Sequence, residues 1–387
     1  MRKNGSIALN EGIWDKNVME PLLPLSPEEG KGEGRSNARQ IGRERNDDAQ
    51  RRFGMKVMAS ATLALAITAV ACALTVGVPA RSEWGASGEL NDADLEALFL
   101  SVPNNDSAKE HLFRITEGEH IAGTPEGLKV ALYVQDELAK ALEAPGAGVS
   151  ISMDAVKVLL AYPVNRSVTM RAGDTTYSAP LSEPELPSDA TSGSRWRNKT
   201  FNAYSPSGNV DGELVYANYG NPDDFDALDE IGVSVKGKVV LVRYGGTFRG
   251  LKVMNAERRG ALGVIIYSDP MEDGYSVGKE YPEGPWRPPQ AVQRGSVQFN
   301  SLCAGDPARL YSNLTTLELC GYRPQDLIPK IPVLPMSWSD ALPLLRALLN
   351  PPGVKPPPDF QGALPLEYQT GPGPARVKLQ VESTRVA

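Results

Sequence analysis

The pattern of apolar and polar positions changes character four times along the chain. From Val57 to Val78 it has no period at all: 22 residues pass without a charge. At about 1.5 Å per residue such a run spans a hydrocarbon core of about 30 Å, so it predicts one transmembrane helix. A cleaved signal peptide fits poorly, because 56 polar residues stand ahead of the run. Helical spacing follows. Leu95, Leu98 and Phe99 behind acidic residues predict a short helix over 92–100, stopped by Pro103. Leu128, Ala131, Leu132, Leu138 and Leu142 share one face of a second helix, from Pro125 to Glu143, with Thr124 as its cap.

The period then shortens to two, or to brief β-branched runs bounded by Gly, Pro, Asn and Asp. Strands are expected at 154–161, 213–217, 238–243 and 263–267. The last two are almost continuously apolar, as in strands covered on both faces. Leu251 to Arg259 has helical composition and stops at Gly260, so strand, helix and strand together predict a parallel crossover. Prolines crowd after Tyr281 and again at 351–358, marking loops, and a helix is expected between them at 339–349. The fold class is therefore α/β (α+β) behind a single membrane span.

Charge orients that span. Arg43, Arg45, Arg51, Arg52 and Lys56 precede it, and only Arg81 follows closely. This places the N-terminus in the cytoplasm, as in a single-pass type II protein. Residues 1–56 are expected to form a disordered tail, since the stretch 20–36, rich in Pro, Gly and charge, will not pack a core. The remainder is expected in an extracellular, luminal or vacuolar space, where the sequons at Asn105, Asn165, Asn198 and Asn313 are open to glycosylation. With 40 Lys and Arg against 47 Asp and Glu, the net charge is −7. A sequence-wide basic surface for gripping nucleic acid is therefore absent, and no nucleic-acid partner is expected.

Three Cys and two His leave little material for catalysis or metal. His111 and His120 lack the i, i+3 or i, i+4 spacing of paired ligands on a helix, and no GxSxG accompanies them. Asn221 to Asp226 is acidic but lacks the alternating ligands and closing Glu of a calcium loop, so it reads as a turn into a helix. Arg243-Tyr244-Gly245-Gly246 is neither GxGxxG nor a phosphate loop. Cys303 and Cys320 lie close enough in sequence to pair. Composition and spacing alone reveal no catalytic centre.

The run Arg243-Tyr244-Gly245-Gly246-Thr247-Phe248-Arg249-Gly250-Leu251-Lys252-Val253-Met254-Asn255-Ala256, followed by Gly260-Ala261-Leu262-Gly263-Val264-Ile265-Ile266-Tyr267-Ser268-Asp269-Pro270, closely resembles the protease-associated domain of the glutamate carboxypeptidase II family, which includes transferrin receptor. Further matches follow in the family's order: Tyr281-Pro282-Glu283-Gly284, Gly305-Asp306-Pro307, Ile331-Pro332-Val333 and Gly371-Pro372-Gly373. The resemblance implies a peptidase-like segment at 90–161, an inserted protease-associated (apical) domain at 162–366, and re-entry into the peptidase domain at 367–387. Complete members are zinc metallo-carboxypeptidases with two zinc ions. Their zinc ligands, general-base glutamate and helical dimerisation domain correspond to sequence beyond Ala387. The expectation is a truncated portion that shapes substrate access without being catalytic alone, carries no cofactor itself, and meets a peptide substrate or a protein partner. A homodimer would form through the missing domains.

The resemblance also assigns residues. Asn255 matches an asparagine that contacts substrate, whereas Asn221 stands where the family carries a carboxylate-binding arginine, which weakens a preference for C-terminal glutamate. Ala308-Arg309-Leu310-Tyr311 replaces the Thr-Pro-Gly-Tyr of calcium-bearing members, which counts against calcium. A Cys303–Cys320 disulfide would close this divergent stretch and contribute roughly 3 kcal/mol. The alternatives are a noncatalytic binding or sorting protein like transferrin receptor, and a protease-associated module acting alone.

Overall fold

The computed structural model describes residues 91–142, 149–194 and 199–386. The expected span at 57–78, the tail before it and Asn198 lie outside the described residues. Among the described residues, no helix is long and apolar enough to cross a membrane.

Three helices come first. Asn91 caps α1 (Asp92–Ser101) by accepting from the Asp94 amide, and Asn104 caps α2 (Asn105–Thr116) by accepting from the amides of Asp106 and Ser107. Thr124 Oγ1 accepts from the Gly127 amide at 3.2 Å at the start of α3 (Pro125–Leu142). The sequence pattern missed α2, because Leu112 and Phe113 are adjacent rather than spaced; its cap and the Glu110–Arg114 pair at 2.9 Å support it instead. Neither α1 nor α2 buries a residue, and α3 buries only Ala141.

Residues 154–159 do not form the expected strand. They alternate correctly, yet no neighbouring strand offers them a ladder, and the strand β1 begins only at Leu160 and runs to Ala172. It turns back into β2 (Thr175–Ser178), and the chain continues through β3 (Asn202–Ala203), β4 (Gly208–Tyr216), α4 (Pro222–Glu230), β5 (Val239–Arg243), α5 (Arg249–Arg258) and β6 (Gly263–Tyr267). After α6 (Pro270–Asp273), β7 (Gly295–Ser296) and α7 (Thr316–Cys320) come β8 (Val333–Met336), α8 (Trp338–Ala347) and β9 (Arg376–Val386). Seven strands make one mixed sheet in the order β2-β1-β9-β4-β5-β6-β8, and β3 pairs with β7 separately.

The halves of this sheet differ in direction. β1 pairs antiparallel with β2 and β9, and β9 antiparallel with residues 208–213 of β4. Residues 214–216 of β4 pair parallel with β5, which pairs parallel with β6, and β6 with β8. Every residue of β5, β6 and β8 is buried. Phe225 and Leu228 of α4, Val253 and Ala256 of α5, and Leu344 and Leu345 of α8 join the same core. The parallel crossover β5-α5-β6 lies where the sequence placed it. β1 straddles position 161/162, and β9 shares the sheet with β4, so the sheet runs without a break across the boundaries assigned at 162 and 366.

Cys303 and Cys320 are bonded, with Cα atoms 5.7 Å apart. The second cysteine ends α7, whose cap is reciprocal: Thr315 accepts from the Glu318 amide and Glu318 from the Thr315 amide.

Two stability measurements check this description. Ile265→Ala, in the middle of the fully covered β6, is expected to cost roughly 2–5 kcal/mol in urea unfolding. Replacing Cys303 and Cys320 together by Ala is expected to cost roughly 2–4 kcal/mol, with no such loss when Cys72 is replaced.

Candidate functional site

In an open sheet, parallel strands deliver their loops to one edge, and the crevice outside their carboxyl ends is where ligands meet the protein. Here that edge is formed after β4, β5 and β6. The chain leaves β4 through Asn218 at φ 48° and Gly220 at φ 69°. Gly220 is required twice over: its backbone is left-handed, and a Cβ there would lie 3.1 Å from Val242 Cγ1 and 3.2 Å from Lys252 Cβ.

Several charged groups are sunk behind this edge. Arg243, at the end of β5, is 1% exposed. Its Nε donates to Asn218 Oδ1 at 2.9 Å, Nη1 to Met271 Sδ at 3.2 Å and Nη2 to the Asp359 carbonyl at 3.0 Å. The guanidinium also lies 3.9 Å from the Tyr219 ring centre. Asn218 Nδ2 in turn donates to Asp224 Oδ1 at 2.7 Å, and Asp224 Oδ2 accepts from the Asn221 amide at 2.8 Å, capping α4. Burial raises the Asp224 carboxyl, and the bonds from Asn221 and Asn218 partly oppose it. Tyr219 donates its hydroxyl to Glu272. Its phenol is pushed up to about 12 by burial and by that bond.

Lys252, on the inner face of α5, is fully buried and donates Nζ to the carbonyls of Tyr219 and Gly245, each at 2.6 Å. One turn on, Asn255 is buried and donates Nδ2 to the Gly220 carbonyl at 3.0 Å. Thus α5 ties down three carbonyls from the two turns that form the rim. At the end of β6, Asp269 is fully buried. It accepts from the Met271 amide at 3.0 Å, the Ala363 amide at 2.9 Å, the Tyr267 hydroxyl at 2.9 Å and the Tyr368 hydroxyl. Burial raises both phenols. Four donors hold this carboxylate in place.

The structure thus brings Asn255 and Asn221 to one rim and adds Tyr219, Lys252 and Glu272, which the sequence reading did not single out, and Arg243, which it weighed only within a rejected phosphate-loop pattern. Lys252 had a readable signal. It shares a helix face with Asn255 and Ala256 at i, i+3 and i+4, and that face is the covered one. The other assigned residues lie elsewhere. Asn105, Asn165 and Asn313 are exposed, on α2, on β1 and in a loop. His111 Nδ1 meets the Tyr133 hydroxyl at 2.8 Å and His120 Nδ1 the Gly118 carbonyl at 3.0 Å, so both are engaged locally. Among the described residues no group of three or more His, Cys, Asp and Glu is arranged to hold a metal ion. The described residues therefore do not fit a zinc pair. Asp306 takes amide donors from Leu159, Ala308 and Leu310 at 3.1, 3.2 and 3.1 Å.

Arg243→Lys keeps the charge but loses the planar fork that serves three acceptors. It is expected to destabilise the fold by roughly 1–3 kcal/mol in denaturant titration. The exposed Arg258→Lys is expected to stay within about 0.5 kcal/mol.

A protein-family model described as PA domain matches residues 210–298, from β4 to just past β7. A probable glutamate carboxypeptidase of Arthroderma benhamiae is 39% identical over 287 residues, covering 72% of this chain and 38% of the relative. A glutamate carboxypeptidase 2 homolog of Caenorhabditis briggsae is 34% identical over 304 residues, covering 74% and 37%. Among solved structures, an aminopeptidase from Aneurinibacillus sp. strain AM-1 aligns with 16% identity and a TM-score of 0.32, over 73% of this chain and 46% of that one. The chain spans less than two-fifths of the length of these two curated relatives. It carries a protease-associated domain of the glutamate carboxypeptidase II-like family.

Proposed function

We propose that this chain is the membrane-anchored, protease-associated portion of a glutamate carboxypeptidase II-like zinc exopeptidase, and that its strand-end rim forms one wall of the substrate cleft. The similarity to the probable glutamate carboxypeptidase carries this reading, because it extends over 287 residues and not only the matched 210–298. A stand-alone module would have no reason to retain the flanking sequence. On this reading residues 90–161 and 367–387 belong to the peptidase domain and 162–366 to the insertion. The apolar residues exposed on α1 to α3, among them Phe99, Phe113 and Leu128, suit helices made to be covered by a larger body. Peptide chemistry would require the two zinc ions of the complete enzyme, held by residues other than those described. The rim contributes Asn255 and the turn amides and carbonyls as orienting groups. With Asn221 in place of the arginine, no cation stands there to grip a C-terminal glutamate.

The anchor sets the location: tail in the cytoplasm, the remainder extracellular, luminal or vacuolar. Sequencing the transcript beyond the codon for Ala387 tests the enzymatic reading. It should reveal a frame encoding the His, Asp and Glu ligand set, and a frame without that set would favour a noncatalytic relative of transferrin receptor. For topology, the chain expressed in eukaryotic cells should shift to lower mass on endoglycosidase treatment, with Asn165→Gln removing one step. An unshifted mass, together with digestion of the domain by protease added to the cytoplasmic side, would refute the anchoring.

A further inference from the structure

The rim is held by an uncommon fastening. Two turns that are distant in sequence, after β4 and after β5, are joined by one buried amine on a third element, α5. A neutral amine has two N–H donors, and the two carbonyls at 2.6 Å use both. Among the described residues no carboxylate lies within ion-pair distance of Lys252. The charged groups that face it are Asp224 from α4, Glu272 from α6 and Arg243 from β5, the last repelling a proton. The ring of Tyr219 lies 5.6 Å from Nζ. A third proton therefore finds no further protein oxygen among the described residues and is closed off from bulk solvent.

We propose that Lys252 is a proton-operated latch, so that proton binding to its amine loosens the turns after β4 and β5 together. The inference is independent of the peptidase reading, since it concerns the rim itself and its readout requires no activity.

Linkage fixes the sign. In the closed rim, burial, reinforced by Arg243 and opposed by Asp224 and Glu272, lowers the amine to about 7. Once the turns part and water reaches it, the amine returns to an ordinary lysine value of about 10.4. The open rim thus binds a proton more readily than the closed one. The closed state gains stability as pH rises from about 7 toward about 10.4. Below about 7 both states are protonated, and the opening equilibrium is flat at its loosest.

Hydrogen exchange of the full chain in detergent micelles, corrected for intrinsic rates, tests this between about pH 6 and 9. Protection of the amides at 219–221 and 244–247 should rise in parallel, about tenfold per pH unit above about 7, while β6 stays constant. Lys252→Met should abolish the slope. A flat wild-type profile, turns that respond separately, or a slope that survives in Lys252→Met would each overturn the latch. Should Lys252→Met not fold, the Nζ resonance of wild-type Lys252 decides. It must titrate at the pH where the protection begins to rise, near about 7, and titration only near about 10.4 overturns the proposal.

Discussion

Strand β4 has to satisfy two ladders at once. Its first six residues pair antiparallel with β9, and its last three pair parallel with β5. A change of register in either ladder would turn Leu214 and Tyr216 out of the core or strand the β5 edge without a partner. This double duty makes one sheet from an antiparallel half closed by the far C-terminal strand and a parallel half built locally. It also determines where β4 ends, and hence where the turn through Asn218 and Gly220 begins. The rim is a consequence of that ending.

Covering the parallel half on both faces dictates the character of the rim. β5, β6 and β8 are buried throughout, so polar groups at their carboxyl ends must find protein partners or reach past the edge. Arg243 finds an amide oxygen, a thioether and a carbonyl; Asp269 finds two amides and two phenols. Gly362 shows how tightly the second group is set, because a Cβ there would overlap both the Asp269 carboxylate and the Tyr368 hydroxyl. Such satisfied networks rigidify and orient the groups they hold.

The sequence disclosed what is local. Continuous apolar runs gave β5 and β6, and helical composition between them gave α5, because each pattern is complete within a few residues. β9 and the part of β1 beyond Ala161 were opaque as strands, since each is held by the other, a partner about two hundred residues away in the chain. The run 154–159 erred in the opposite sense: its alternation was correct, but alternation without a ladder does not make a strand. Asn255 was legible only through family resemblance. Lys252 was passed over, because a lysine in a helix normally marks the solvent face, even though its spacing puts it on one face with Asn255 and Ala256.

The first three helices raise a different physical question. α1 and α2 are 10 and 12 residues long, at or below the length of about 12–15 at which even favourable sequences are marginal alone in water. Their caps contribute about 1 kcal/mol each, and the solvent-exposed Glu110–Arg114 pair adds little. Burial is the remaining source of helix stability, and neither helix buries a side chain among the described residues. Leu95, Phe99, Leu112 and Phe113 are instead spread over the solvent. Large apolar groups on two well-capped helices therefore stand without the burial that usually stabilises short helices. The sheet, by contrast, has its own closed core.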